Sequence, residues 1–413
     1  MPRLVRSRVG GPVLLVATFL LGSCSGTGGN STGGSFPGGA TFPTIAANHR
    51  AGPGTVGLGK ILSTKDGGQI YGFDINQIGD DGVLASAADT SKPGVFKVSV
   101  ETFDQNTGAI TKSFANYTGT KNSYAVDGIY AGDVALVTHF IVPKGKIFAS
   151  RKYETMNPVT AQKFTGAWTP PIKDVDVQQG AENQATTTSV LLAIELKNQD
   201  KPDLFVSNIG ANTFSNVIHL DPNEFGGGNG PHLGTYTAAD QGVIALSPDG
   251  GAVGGSPPVN VLIDLKTGKE TQFNGYNNGP FHAGYVNGLA VDPKTGVAAT
   301  TTELNAQVEF YDLNKKNGIT AVQLPCTGNA SQGASGSGVA VDPVNKLFFV
   351  AEQIYCSGNQ GSALVVYDER GNLVETITGF TFAIAEPPVV LNPSKRMGWA
   401  FGPKFSQLQQ FFY

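Results

Sequence analysis

The chain has 413 residues, a formal net charge of −4, 55 glycines, 15% charged residues and only three cysteines. This balance offers no basic footprint, so nucleic acid is not an expected partner, and the glycine-rich, charge-poor composition excludes a helical bundle in favour of a turn-rich β protein. No long stretch sustains a 3.6-residue apolar period.

The first predicted element is an export signal. Arg3, Arg6 and Arg8 form a basic start, and the apolar run from Pro12 to Gly22 is well short of the roughly 20 residues a spanning helix needs. The run ends in Leu21-Gly22-Ser23-Cys24, which resembles the bacterial lipobox. That resemblance implies cleavage after Ser23, acylation of Cys24, and anchoring to a membrane of the bacterial cell envelope. Ser25 to Gly39 is almost entirely Gly, Ser, Thr and Asn, a composition that cannot bury enough apolar area to repay its ordering. The expected organisation is a lipoprotein signal peptide over 1–23, a lipidated cysteine and flexible tether over 24–54, and one folded domain over 55–413.

The folded part repeats. "GQIYGFDINQIGDDGVLASAAD" with "FKVSVETFDQNTGAITKSFA" makes a unit over Gln69–Ala115, and further units follow over Tyr124–Trp168 and Ser189–Gly226. "GLAVDPKTGVAATTTE" from Gly288 and "GVAVDPVNKLFFVAE" from Gly338 share an apolar strand, a tight Asp-Pro turn and a second apolar strand, with weaker copies from Gly242 and Pro388. Those from Gly242, Gly288 and Gly338 are each followed by two more strands around a polar turn, at Asp264, Asp312 and Asp368. Four antiparallel strands recurring every ~45–50 residues is the arithmetic of a β-propeller blade. The last repeat has only three strands, so Thr55–Thr64 is the expected donor of its fourth, removing two open edges. The fold class is therefore all-β, a seven-bladed propeller with six and eight as neighbouring counts, closed by an N-terminal strand. These strand and turn features resemble the YVTN and gluconolactonase-like propeller superfamily across Thr55–Tyr413.

The recurring aspartates read as turn chemistry, each bonding its own backbone. The two faces of such a ring are unequal. One carries minimal turns, and the other carries long connections, Thr169–Gln184, Gly226–Asp240, Asn274–Asn287 and Glu352–Ser362, the usual place for binding residues. Candidate binding residues there are His232, His282, Tyr285, Glu303, Glu352 and Tyr355. First strands are expected to begin with a polar group at Asp127, Glu182, Asp240, Asn287, Ser337 and Glu386. Of these, Glu182, Asp240, Asn287 and Glu386 make an oxygen set that would suit Ca2+. "YVNGLAVDP" resembles the "NGLA" strand of gluconolactonase-type enzymes, which implies a ligand role for Asn287, and "AEPPVV" implies one for Glu386. Ser337 stands where that family has an aspartate, against lactonase activity.

The leading expectation is a non-enzymatic, monomeric, membrane-anchored lipoprotein that binds a protein or glycan through its long-loop face. No catalytic residue is assigned. The alternative is a Ca2+-dependent lactonase or hydrolase. With Cys24 committed to lipid, Cys326 and Cys356 are left in an oxidising setting, two being the right number for one disulfide between adjacent blades.

Overall fold

The computed structural model describes residues 50–413, except 78, 92–94, 121, 132–133, 142–149, 157–165, 174, 184–187, 196–201, 209–210, 212, 221–231, 237–240, 246–259, 274–285, 303–306, 325–334, 357–358 and 381–388. Within these residues the strands form seven four-stranded antiparallel sheets. In chain order the first holds β2 (Gln69–Ile75), β3 (Asp81–Asp89), β4 (Val95–Asp104) and β5 (Ile110–Thr120). The second holds β6 (Asn122–Ala131), β7 (Val134–Ile141), β8 (Ser150–Met156) and β9 (Gly166–Trp168). The third holds β10 (Val175–Asn183), β11 (Thr188–Glu195), β12 (Pro202–Asn208) and β13 (Thr213–His219).

The fourth holds β14 (His232–Tyr236), β15 (Gln241–Ala245), β16 (Asn260–Asp264) and β17 (Glu270–Phe273). The fifth holds β18 (Val286–Val291), β19 (Val297–Thr302), β20 (Gln307–Asp312) and β21 (Asn317–Gln323). The sixth holds β22 (Ser335–Asp342), β23 (Leu347–Cys356), β24 (Asn359–Asp368) and β25 (Leu373–Phe380). The last runs β26 (Val390–Asn392), β27 (Met397–Phe401), β28 (Gln407–Phe412), and then β1 (Gly57–Ser63) from the other end of the chain.

The first strand of each sheet lies beside the first strand of the next: β2 by β6, β6 by β10, β10 by β14, β14 by β18, β18 by β22, β22 by β26, and β26 by β2. The row of sheets returns on itself, and the architecture is an all-β propeller of four-stranded antiparallel blades. The donor segment expected at Thr55–Thr64 is β1, paired antiparallel with β28 from Gly57 opposite Phe412 to Ser63 opposite Gln407.

Two blade starts differ from the sequence expectation. Thr169–Gln184, read as a long connection, contains β10, so the third blade begins at Val175 rather than Ser189. Likewise β14 lies inside the segment Gly226–Asp240, and the apolar strand at Gly242 is the second of its blade. The reason is compositional. "VDVQQGAEN" and "HLGTY" lack the run of apolar residues that marks a strand buried on both faces.

Aromatic packing crosses the seams around the closing blade and between the fifth and sixth blades. Between the first and last blades, Phe103 meets Trp399 edge-on at 5.4 Å and Phe73 meets Phe401 at 5.5 Å, within one buried cluster that includes Leu62, Leu84 and Leu408. Between the fifth and sixth, Phe310 meets Phe348 at 5.6 Å and Tyr367 at 5.9 Å. Edge-to-face pairs at such separations add to the area term. Gly82 and Gly398 sit directly opposite Phe103 and Phe411, and a methyl at either would run into the ring.

One short turn recurs on one rim. Asp104, Asp264, Asp292 and Asp342 each accept two backbone N–H bonds from the next residues through Oδ1, as in Asp264 with Lys266 at 3.0 Å and Thr267 at 2.9 Å. This is the Asx geometry expected of the recurring aspartates. The residue four after the aspartate is left-handed: Gly108, Gly268 and Gly296 after Asp104, Asp264 and Asp292, but Lys346 after Asp342 and, in the similar turn at Asp312, Lys316, with φ of 56° and 55°.

Candidate functional site

In each blade, the connections from first to second strand and from third to fourth lie on the rim of the Asp turns. Those from second to third strand, and from blade to blade, lie on the opposite rim. Among the described residues, the Asp-turn rim is formed by short, internally bonded turns. Segments 246–259, 274–285, 325–334 and 381–388 belong in sequence to the opposite rim and lie outside the described residues.

Several residues singled out in the sequence fall in these or similar segments: Asp240, His282, Tyr285, Glu303, Cys326 and Glu386 are outside the described residues, as is Cys24 with its tether. His232 opens β14, opposite Ala245. Glu352 and Tyr355 lie in β23, opposite Ala363 and Gln360, and Cys356 ends that strand opposite Asn359. Asp127 and Ser337 lie within β6 and β22 rather than ahead of them.

Glu182 and Asn287 are not brought together. Because every blade repeats one strand order, the innermost strands run in one direction around the axis. Glu182 is next to last in β10 whereas Asn287 is second in β18, so they mark opposite rims. Asp240, between β14 and β15 in sequence, and Glu386, ahead of β26, lie outside the described residues. The misplacement follows from the two polar first strands that the apolar pattern did not reveal.

The described part of the long-loop rim has a shallow polar depression, without room for a water-sized probe, between the β1–β2 connection and strands β3 and β4. Lys65 and Asp66 stand on the connection, Ser86 on β3, and Lys97, Ser99 and Glu101 on β4. The register sets Ser86 opposite Ser99 and Leu84 opposite Glu101, so these side chains share the face that packs toward the last blade. At the rim, Lys97 Nζ donates to Asp66 Oδ2 at 2.5 Å. This pair is about one-third exposed on each side and contributes little to stability. Glu101 at the base is 2% exposed, and its Oε2 has no hydrogen-bond donor. Burial holds the Glu101 carboxyl above its ordinary range, with Asp66 adding to the rise and Lys65 and Lys97 opposing it.

Two other buried acids are differently placed. Asp342 accepts from Val344 N, Asn345 N and Asn345 Nδ2, and from the Tyr413 hydroxyl at 3.0 Å. Asp74 on β2 accepts from Ile75 N at 2.8 Å through Oδ1 while Oδ2 has no donor. Burial, against that one backbone bond, pushes Asp74 up to about 7. Nothing in the local sequence marked Glu101 or Asp74, since each stands in a strand of otherwise ordinary pattern. Among the described residues no group of three His, Cys, Asp or Glu side chains is arranged to hold a metal.

No family model matches the chain, and no curated protein does. Solved structures do. The chain is similar to the Dos1 propeller, with a TM-score of 0.50 and 9% identity, covering 86% of this chain and 95% of that one. It is also similar to Sqt1 of Chaetomium thermophilum, solved bound to the N-terminus of the ribosomal protein L10, with a TM-score of 0.51 and 9% identity, covering 87% of this chain and all of that one. At that identity the likeness shows the propeller fold and nothing finer.

Proposed function

We propose that this chain is an exported, lipid-anchored, monomeric propeller of seven blades whose long-loop rim binds a protein or glycan without catalysing a reaction. The observation that carries the reading is the inequality of the rims. Among the described residues, one is shut by Asp-bonded turns that leave little free hydrogen-bonding capacity, while the longest connections in sequence belong to the other. Long connections on a rigid scaffold are where recognition residues concentrate. Sqt1, a propeller of similar fold, is bound to a protein segment, which supports protein as the partner class. Anchoring rests on the lipobox-like Leu21–Cys24 and the Gly/Ser-rich segment behind it. The YVTN and gluconolactonase-like resemblance concerns strands and turns, and the separation of Glu182 from Asn287 weighs against its Ca2+-dependent lactonase branch.

The test is a loop replacement. Exchanging 274–285 and 325–334 for short Gly-Asn linkers should leave the cooperative melt and abolish saturable binding to a glycan array or to immobilised envelope proteins. Substituting turn-rim residues such as Lys266 and Lys315 should leave binding unchanged. Binding that survives the loop exchange, or Ca2+-stimulated lactone hydrolysis by the unaltered chain, would overturn the reading. Metabolic labelling with a fatty-acid probe should be lost in Cys24→Ser, and labelling that persists removes the anchor. The Cys326–Cys356 disulfide belongs to the same reading, tying the connection that holds Cys326 to the end of β23 at the binding rim. Thiol counting on the unfolded, unreduced chain should then find only Cys24, if unacylated, reactive.

A further inference from the structure

We propose that the Asp-turn rim of the fourth, fifth and sixth blades is the surface this propeller lays on a membrane, its lysines meeting anionic lipid headgroups while the long-loop rim points away. Its charges are sorted by depth. Across the turns 264–269, 292–296, 312–316, 342–346 and 368–372, every Lys and Arg is exposed, whereas Asp292 and Asp342 are buried and Asp264, Asp312, Asp368 and Glu369 are half-buried. The cause lies in the turn itself. Each aspartate accepts its own backbone N–H groups, which holds the acid against the chain and leaves the basic side chains outermost. Lys315 pairs with Asp312 at 2.7 Å and Lys346 with Glu369 at 3.8 Å. Lys269, Lys294 and Lys316 make no ion pair among the described residues. Beside an anionic bilayer each such lysine favours the bound state by about fivefold, although the chain as a whole carries a formal charge of −4.

The point where the chain joins the ring agrees with this orientation. Gly57 at the start of β1 lies opposite Phe412, as does Met397 at the start of β27, so β1 begins beside the Pro393–Lys395 connection on the Asp-turn rim. Arg50 bridges Leu58 in the parallel sense, and Ala51 N donates to Leu58 O at 2.6 Å. The segment ahead of β1 is therefore fastened at the Asp-turn end of that strand. As a Gly/Ser-rich tether, the sequence from Cys24 to Arg50 would reach about 25–30 Å. Turning the long-loop rim to the bilayer would use most of that reach, since β1 has 7 residues and is about 23 Å long. Laying down the Asp-turn rim uses almost none. The tether argument rests on the anchoring reading, whereas the sorting of charge does not, and the orientation leaves the long connections clear to meet their partner.

The experiment is lysine footprinting of the full chain with an amine-reactive reagent, read residue by residue by mass spectrometry, on phosphatidylcholine vesicles with and without about one-third phosphatidylglycerol. On the anionic vesicles Lys269, Lys294 and Lys316 should lose reactivity by at least about fivefold. Lys65, Lys173 and Lys404, on long-loop-rim connections, should change by less than about twofold. Pure phosphatidylcholine should protect neither set. Combining Lys269→Glu, Lys294→Glu and Lys316→Glu should abolish the protection of Lys266 and Lys315, and the same exchange at Lys65, Lys173 and Lys404 should leave it intact. All of these lysines are exposed, so both variants should fold. Equal protection of the two rims, protection confined to the long-loop rim, no protection on anionic vesicles, or protection that survives the turn-rim exchange would overturn the proposal. Fatty-acid labelling reports the anchor separately, so a chain that is not acylated yet gives this footprint keeps the rim proposal and loses only the anchor.

Discussion

The seam that joins the ends of the chain and a seam in its interior are built differently. Between the fifth and sixth blades the buried contacts are apolar and aromatic, Phe310 against Phe348 and Tyr367 within a cluster of Val, Ile and Leu, and the side-chain hydrogen bond from Thr295 to Glu369 lies at the rim. The closing seam has an equivalent aromatic core around Trp399, but adds a buried amide network. Gln105 Nε2 donates to the carbonyls of Asn76 and Asp81, both at 2.7 Å, while Asn392 Nδ2 donates to Gln105 Oε1 at 2.9 Å and to Gly79 O at 3.1 Å. Gln410 Nε2 donates to Gln105 O at 2.7 Å, and Gln410 Oε1 accepts from Lys60 N at 3.0 Å. Three chain segments distant in sequence thus meet in directional bonds, and Lys395 pairs with Asp80 outside them. Apolar packing tolerates small slips, whereas an amide either meets its partner or is left unpaired in a dry site. A seam between covalently remote segments gains most from that selectivity.

The largest effect that would break this comparison is loss of β1. Deleting the chain through Ser63 should expose the edge of β28 and produce aggregation or a non-cooperative melt, while deleting Ser25–Gly39 should leave the melting temperature unchanged. Equal behaviour of the two truncations would mean that closure does not depend on β1.

Next in size are the aromatic cores. Trp399→Ala and Phe310→Ala should each cost about 3–5 kcal/mol in chemical denaturation, since both seams bury their rings fully. The amide network should separate the seams. Asn392→Ala should cost about 1–3 kcal/mol by stranding Gln105 Oε1, and a double-mutant cycle with Gln105→Ala should show coupling. Additive losses would reduce the network to incidental contacts.

A pH series sharpens the picture within the closing seam, where Glu101 shares a sheet face with Phe103. Its carboxyl is held above the ordinary glutamate value of 4.5 by burial, so the native chain keeps a proton that the unfolded chain has lost. Stability should therefore fall as pH rises from that ordinary value through the raised one, and Glu101→Gln should remove this part of the slope. An identical pH profile in the variant would show that the carboxyl does not titrate anomalously. The smallest effect belongs to the turns. Lys346→Gly relieves a left-handed residue with φ of 56° and should stabilise by about 0.5–1 kcal/mol, measurable as a shift in denaturation midpoint.

What the sequence by itself determined is the local geometry: the hairpins around Asp292, Asp312, Asp342 and Asp368, and the need for a fourth strand from Thr55–Thr64. An aspartate and the N–H groups it accepts from lie within four residues of each other, so the turn is encoded in one short window. The apolar strands beside those turns carry their burial in their own composition. The first strands β10 and β14 do not, because "VDVQQGAEN" and "HLGTY" are strands by virtue of the neighbours they pair with. Shifting the first of them put Glu182, near the end of β10, at the rim opposite Asn287, near the start of β18. Tertiary structure alone decided that Gln105 would meet Asn392 across 287 residues. It also decided that Glu101, one acid in an unremarkable strand, would end up sealed beneath Lys65 and Lys97. Burial and long-range partnership are properties of the closed ring, and no window of residues short enough to read contains them.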